Sequence, residues 1–190
     1  MESMSLNSIT KAFADHENAI ISVFKRKSEI LKMAHIILTA VQAGGALYIA
    51  GNGGSAADAQ HMAAELIGRF RKDRSPIAAI ALSTDTSVLT AVGNDYGFSE
   101  VFARQVRALT GPQDVLLLIS TSGNSQNILG AATQALANQT KVLALTGKMG
   151  GQLAKLADCG VCEESDDTAH IQEAHIFIIH CLCRLVEDNL

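Results

Sequence analysis

The sequence lacks the features of several common protein classes. Its 190 residues include no uncharged apolar run near the roughly 18 residues that a membrane span requires, and residues 1–10 lack the apolar core of a secretory signal. Positive charge is not in excess, because 15 Lys and Arg stand against 19 Asp and Glu, so no global field attracts nucleic acid. The densest basic stretch, residues 69–74, is interpreted as surface or substrate rim. We therefore expect a soluble, cytoplasmic protein with no membrane and no nucleic-acid partner.

Cysteine is scarce, with four residues of which Cys159 and Cys162 form a C-x-x-C pattern. That pattern alone is compatible with a zinc or a redox site. Cys181 and Cys183 are two residues apart on a predicted helix and point to nearly opposite sides, which makes a poor second half of a four-thiolate site. Reduced, partly buried thiols are the better interpretation.

The order of apolar patterns predicts an α/β domain. Helical spacing from about residue 6 to residue 41 indicates one long or two successive amphipathic helices. Beyond these, short apolar runs, each leading into a turn, predict strands at 46–50, 77–82, 115–120 and 142–146, with a weaker one at 159–163. Alternating strands and helices imply a parallel sheet covered on both faces, which is a three-layer sandwich. We expect one domain over residues 1–190, with residues 1–44 as an N-terminal helical extension and a last helix that begins after residues 165–168.

Two turns rich in small polar residues predict an anion site. The first predicted strand breaks into a glycine turn, and the third leads into a loop of hydroxyl residues: Gly51-Asn52-Gly53-Gly54-Ser55 and Ser120-Thr121-Ser122-Gly123-Asn124-Ser125. Each turn leaves backbone N–H groups free at the positive end of a helix dipole. If the two strands are neighbours, both turns meet at the carboxyl edge of the sheet. The pattern favours a phosphate held by neutral donors.

A histidine and a carboxylate follow on the helix that begins at the first turn. His61 and Glu65 are four residues apart and share one helical face. A pair of this kind is usually a weak surface contact, but the neighbouring anion site makes a metal-ligand or acid/base role the better hypothesis. Gln172 and His180 add polar atoms to the last helix, where a single histidine would more often be a satisfied core group.

The glycine turn also resembles a nucleotide-binding motif. Residues 51–56 satisfy G-x-G-x-x-A, and Asp85 could supply the acidic residue that closes a second strand in dinucleotide sites. That interpretation leaves the hydroxyl loop and the His61–Glu65 pair without a role. A P-loop is excluded, because neither turn contains Gly-Lys followed by Ser or Thr.

Taken together, the motifs resemble the phosphoheptose isomerases of the sugar-isomerase (SIS) domain superfamily. The resemblance extends from the N-terminal helices to the last helix and rests on the two turns, His61, Glu65 and three further stretches: Asp58-Ala59-Gln60, Gly93-Asn94-Asp95 and Ile171-Gln172-Glu173 with His175 and His180. It implies a flavodoxin-like sheet of five parallel strands and a homotetramer with sites at subunit interfaces. The implied reaction converts sedoheptulose 7-phosphate to D-glycero-D-manno-heptose 7-phosphate through an enediol, for bacterial lipopolysaccharide heptose synthesis.

The same resemblance assigns roles to residues. Glu65 and His180 fall at its proton-transfer positions, as base and acid. The implied ligands of one Zn²⁺ per subunit are His61, Glu65, Gln172 and His180. The implied phosphate cage consists of Ser120, Thr121, Ser122 and Ser125. The implied sugar contacts are Asn52, Gly53, Gly54, Ser55, Glu65, Asn94, Asp95 and Gln172.

Two features depart from this pattern. Gln172 and His180 are eight residues apart, about 12 Å along a helix, which strains the reach of both side chains toward one ion. We therefore expect that one copy of the last helix holds the metal only in part, or that Gln172 ligates weakly. His170 stands where relatives often carry Arg, which puts one contact near the substrate in doubt.

Two alternatives remain open from the sequence. A non-catalytic SIS scaffold that binds a replication initiator protein shares the fold and much of the phosphate loop, but it does not need proton-transfer groups. The presence of both Glu65 and His180 favours an enzyme. An isomerase or a sensor for another phosphosugar would use the same cage, and fold analogy alone does not separate these functions.

Overall fold

After two N-terminal helices, the chain alternates strands and helices. A computed structural model describes residues 5–190. Its helices are α1 (Leu6–Phe24), α2 (Lys27–Gln42), α3 (Gly54–Ile67), α4 (Thr86–Tyr96), α5 (Ala103–Leu109), α6 (Gln126–Ala137), α7 (Leu153–Leu156) and α8 (Thr168–Asp188). Its strands are β1 (Leu47–Gly51), β2 (Ala79–Ala81), β3 (Val115–Ser120), β4 (Lys141–Gly147) and β5 (Cys159–Glu163), and one 3₁₀ turn covers Phe98–Glu100.

The five strands form one parallel sheet in the order β2-β1-β3-β4-β5. The predicted parallel α/β fold is confirmed, including its weak fifth strand. Strand β1 lies directly beside β3, with Leu47 opposite Val115 and Gly51 opposite Ile119. The turns that follow these two strands therefore lie next to each other at the carboxyl edge of the sheet, where open α/β sheets bind ligands.

Both faces of the sheet are buried. Alternate residues of β3 enter two separate cores, one with α2, α3 and α8 and the other with α5 and α6. The continuous apolar runs seen in the sequence result from this double burial. Val23 of α1 and Met33 and Ile37 of α2 belong to the same core as α3 and α8, so the N-terminal helices pack into the domain itself.

The edge strand β2 is shorter than predicted. The N–H of Ile77 donates to Leu66 O at the end of α3 (3.0 Å) instead of joining the ladder, and pairing with β1 is confined to residues 79–81. All four cysteines are free, as expected. Within residues 5–190, every helix is too short or too polar to cross a bilayer.

Candidate active site

The glycine turn after β1 opens the N-terminus of α3. Gly53 precedes the helix with φ +56°, a conformation that favours glycine. No side chain caps this helix, and Gly53 and Gly54 are exposed. A Cβ on Gly51 would lie 2.5 Å from Ser55 O, so the strand can turn into the helix this tightly only with glycine there. The first turn of α3 thus presents its positive dipole end to solvent.

The hydroxyl loop after β3 has the same design. Ser125 precedes α6 and again no side chain caps the helix. The Ser120 and Ser125 hydroxyls lie 3.4 Å apart, across the loop. Gly123 has φ +63°, and a Cβ there would lie 2.1 Å from Gly150 O. The loop is therefore packed against the turn that follows β4, with Thr121 O accepting the Gly147 N–H at 3.1 Å.

An amide pair joins the two turns. Asn52 and Asn127 exchange two hydrogen bonds of 2.9 Å, each side-chain amide donating to the other's carbonyl oxygen. Asn127 is buried on the first turn of α6. Asn127 is not among the predicted site residues, because an asparagine at a helix start carries no sign of a partner 75 residues away. This pair fixes the spacing of two uncapped helix N-termini at one edge of the sheet.

Farther along α3, three predicted residues meet α8. His61 Nε2 lies 3.1 Å from His180 Nε2 and 3.4 Å from Glu65 Oε1. We call His61, Glu65 and His180 the seam cluster. His61 is its central member, since no ion pair within 4.0 Å joins Glu65 to His180 directly in the described part of the chain. Glu65 and His180, 115 residues apart in sequence, therefore share one environment.

The surroundings of His180 favour its neutral form. Burial lowers the pKa of this imidazole, the nearby His61 lowers it further, and Glu65 acts in the opposite direction. The Phe70 ring lies against it, with centroids 5.6 Å apart. A neutral imidazole can donate a proton from one nitrogen and accept at the other.

Phe70 is held in place by a strap of residues 68–75. The buried carboxylate of Glu187 accepts the backbone N–H groups of residues 70, 71 and 72, at 2.9–3.1 Å. Arg74 pairs with Glu187 at 3.3 Å and donates to Glu65 O and Leu66 O at 2.9 and 2.7 Å. The expectation of a solvated basic rim is wrong for Arg74, whose side chain is only 10% exposed, because it closes the last carbonyls of α3.

Known proteins are similar to this chain over nearly its whole length. The SIS domain family matches residues 12–147. Phosphoheptose isomerase 1 of Campylobacter jejuni is 48% identical over 184 residues, which cover 97% of this chain and 99% of that protein. The phosphoheptose isomerase of Helicobacter pylori is 49% identical over 182 residues, 95% of each chain. The chain belongs to the phosphoheptose isomerase family.

A solved structure supports the same assignment. The phosphoheptose isomerase of Neisseria gonorrhoeae superimposes with a TM-score of 0.90 at 41% identity, covering 96% of this chain and 98% of the other. The resemblance inferred from the motifs is confirmed, and the chain is an aldose–ketose isomerase of this family. The dinucleotide-binding and scaffold interpretations are set aside by this match.

A single chain assembles only part of the site expected for a phosphoheptose isomerase. Gln172 lies beside Gly54, where an added Cβ would be 2.5 Å from Gln172 Nε2. Because Gly54 precedes His61 by seven residues, or about 10 Å of helix, Gln172 is at the glycine-turn end of α3 and not at the seam cluster. Asn94 and Asp95 are exposed on α4 and bond to each other at 2.8 Å. Their sugar contacts, like the metal role of Gln172, remain predictions.

Proposed function

We propose that the chain interconverts sedoheptulose 7-phosphate and D-glycero-D-manno-heptose 7-phosphate through an enediol. The observation that carries this proposal is the course of α3, which begins at the glycine turn and presents His61 and Glu65 to His180 two to three turns later. About 10 Å of helix separates Gly54 from His61. This spacing suits an open-chain sugar phosphate with its phosphate at the turns and its carbonyl end at the seam cluster.

The phosphate would be held by neutral donors. In this proposal the hydroxyls of Ser120, Thr121, Ser122 and Ser125 surround its oxygens, and the dipoles of α3 and α6 offset its charge. Ser120 is buried and fixed at the end of β3, whereas Ser122 is exposed. In the same proposal, the sugar chain would contact backbone atoms of Gly53 and Gly54 and the side chains of Asn52, Ser55 and Gln172.

The proton transfers are assigned to Glu65 and His180. Glu65 would take the proton from the carbon beside the carbonyl and return it to the neighbouring carbon. His180, kept neutral by burial, would serve the carbonyl and hydroxyl oxygens as an acid. His61 lies between the two groups at 3.4 and 3.1 Å and would orient both.

The donor types of the seam cluster also suit a zinc ion, for which Glu65 and His180 would have to approach each other. Two imidazole nitrogens and one carboxylate oxygen are the donors that Zn²⁺ prefers at a catalytic site with an open position. His61, Glu65 and His180 would hold it, and Gln172 could join only from the far end of the seam. When bound, the metal would supply Lewis-acid stabilisation of the enediol charge. Glu65 cannot bind the metal tightly and act as a free base at the same time. Its carboxylate would therefore have to adopt a second position, or exchange on and off the metal, during the reaction.

We also propose a homotetramer with sites at subunit interfaces. The seam cluster is open to solvent in one chain, with 44% of the His61 side chain exposed, whereas enediol chemistry benefits from exclusion of water. An apolar groove of about 700 Å³ lies between α1, α2 and α8 and is lined by Phe24, Leu31 and Phe177 among others. The α1 residues Leu6, Ile9 and Phe13 are 69–82% exposed. Apolar faces of this extent are typical of subunit interfaces.

The test is an assay of purified protein on a panel of ketose phosphates in D₂O, with products identified by NMR. We expect turnover of sedoheptulose 7-phosphate, with deuterium at C2 of the aldose, and a kcat/KM roughly 10²-fold higher than for shorter ketose phosphates. Turnover of another phosphosugar alone would replace the substrate and keep the chemistry. No turnover of any ketose phosphate by the intact oligomer would overturn the proposal. Lipopolysaccharide heptose synthesis in the cytoplasm is the place we expect for this activity.

A further inference from the structure

Helix α8 carries a second group of two histidines and a glutamate, away from the seam cluster. Glu173 Oε2 lies 2.7 Å from His16 Nδ1 and 2.9 Å from His170 Nδ1. One ligand atom from each residue falls within 4.8 Å of the other two, and among residues 5–190 this is the one group of three or more His, Cys, Asp and Glu side chains that meets this distance. We call His16, His170 and Glu173 the outer cluster.

The outer cluster is a different set of residues from the seam cluster. His170 and Glu173 are three residues apart on α8 and contact His16 of α1. Glu173 precedes His180 by seven residues, so the two clusters meet α8 about 10 Å apart along its axis. Gln172, between His170 and Glu173 in sequence, lies beside Gly54. No role in the proposed reaction uses His16, His170 or Glu173.

The chemistry of the three side chains favours a transition metal. Imidazole nitrogens with one carboxylate suit Zn²⁺, Co²⁺ or Ni²⁺ and discriminate against Ca²⁺ and Mg²⁺, which prefer oxygen. In tetrahedral zinc sites, bonds of about 2.0–2.1 Å place ligand atoms about 3.3 Å apart. The two separations from Glu173, 2.7 and 2.9 Å, need to open by about half an ångström, and the two histidine ligand atoms lie within 4.8 Å of each other.

Charge and exposure favour the same ligand. Asp15 and Asp167 lie close enough to act electrostatically on His170 and add negative charge, which Lys11 offsets in part through its ion pair with Asp15. His170 is nearly buried with a side chain 10% exposed, while His16 and Glu173 are 43% and 46% exposed. His170 is thus held in the protein interior, and the exposed side of the cluster is open to a metal ion and a coordinated water molecule.

We propose that the outer cluster is a structural site for Zn²⁺ or a similar divalent transition metal, which ties α1 to α8 independently of the isomerase site. Such a tie has a reason in the packing of α1. Of its 19 residues, only Ala19, Ser22 and Val23 are buried, all in its C-terminal half. His16 is the point at which a metal would secure the middle of this helix.

The test measures zinc binding by equilibrium dialysis of the untagged, chelator-stripped protein, in a His61→Gln background that disables the seam cluster. We expect one Zn²⁺ per chain in this background and at least about 100-fold weaker binding once His16→Gln is added. His170→Arg should abolish binding too while keeping the ion pair with Glu173, which guards against a folding defect. His35→Gln, which removes an exposed histidine from α2, is the matched control and should change nothing.

Two further readouts locate the metal. Co²⁺ should give tetrahedral absorption bands in the His61→Gln protein that vanish with His16→Gln, and Zn²⁺ should slow hydrogen exchange in α1. Binding that is unaffected by His16→Gln, or no zinc in the His61→Gln protein at all, would show that the cluster is only a hydrogen-bonded ion pair. These readouts do not depend on isomerase activity, so either proposal can fail without the other.

Discussion

The two clusters on α8 have the same composition and opposite arrangements. In the seam cluster a histidine is central, with His61 contacting His180 and Glu65 at 3.1 and 3.4 Å. In the outer cluster the carboxylate of Glu173 is central and lies between two imidazoles at 2.7 and 2.9 Å. Residue types alone therefore do not distinguish an active site from a structural one.

The neighbours of the clusters make the distinction. The seam cluster lies on α3, whose N-terminus is uncapped and joined by an amide pair to a second uncapped helix start. The outer cluster joins α1, whose N-terminus is capped by Ser5, to α8, whose N-terminus is capped by Asp167. In the proposed function the substrate phosphate binds at the two uncapped N-termini and the carbonyl end of the sugar reaches the seam cluster. Acid/base chemistry is therefore expected there, and a static role at the other.

The largest effect should come from Glu65→Gln. The amide keeps the size of the side chain but cannot accept a proton, so we expect kcat to fall by at least about 10³-fold with the oligomer intact. The measurement is turnover of sedoheptulose 7-phosphate by NMR, with circular dichroism and sedimentation as checks of the fold. Glu17→Gln, on the exposed face of α1, should keep full activity. Activity within tenfold of the unsubstituted protein in Glu65→Gln would remove the functional difference between the two clusters.

The next largest effect should come from Glu187→Ala, near the C-terminal end of α8. The change removes the acceptor of three backbone N–H groups and leaves the buried Arg74 without its ion partner. We expect about 3–5 kcal/mol of lost unfolding free energy in urea. Since the strap holds Phe70 against His180, the kcat per folded molecule should fall as well. A loss of stability with unchanged kcat would show that the strap supports the fold and not His180.

The sequence alone predicted strands and site residues wherever the signal lies within a short stretch of chain. Short apolar runs followed by small polar turns identified all five strands, and the spacing of His61 and Glu65 placed them on one face of α3. Motif resemblance supplied His180, which periodicity alone would have assigned to the core.

Contacts between distant segments could not be predicted in this way. In the sequence Asn127 is an ordinary helix residue, and it meets Asn52 only because β1 pairs with β3. Arg74 has the sequence features of a surface charge, but its ion partner Glu187 lies 113 positions later. His16 has no local pattern at all, because its partners are on the last helix. Such residues acquire their roles only when the tertiary structure brings their neighbours to them.

The smallest expected effect concerns His175, the histidine of α8 that lies between His170 and His180 in sequence. His175 belongs to neither cluster and is fully buried beside β4, and burial lowers its pKa to about 4, with a backbone group at Thr146 acting the other way. Between its unfolded pKa of about 6.5 and pH 4 the unfolded chain binds a proton that the folded chain does not. Stability should therefore fall as pH drops through this range, by on the order of 3 kcal/mol.

His175→Leu should remove that slope, because the group that must stay neutral in the fold is gone. The measurement is the free energy of unfolding in urea at several pH values between 7 and 4, in the presence of a chelator. His35→Gln should keep the slope, since this side chain is exposed in the fold. A slope that persists in His175→Leu would show that burial of His175 does not cause the acid sensitivity.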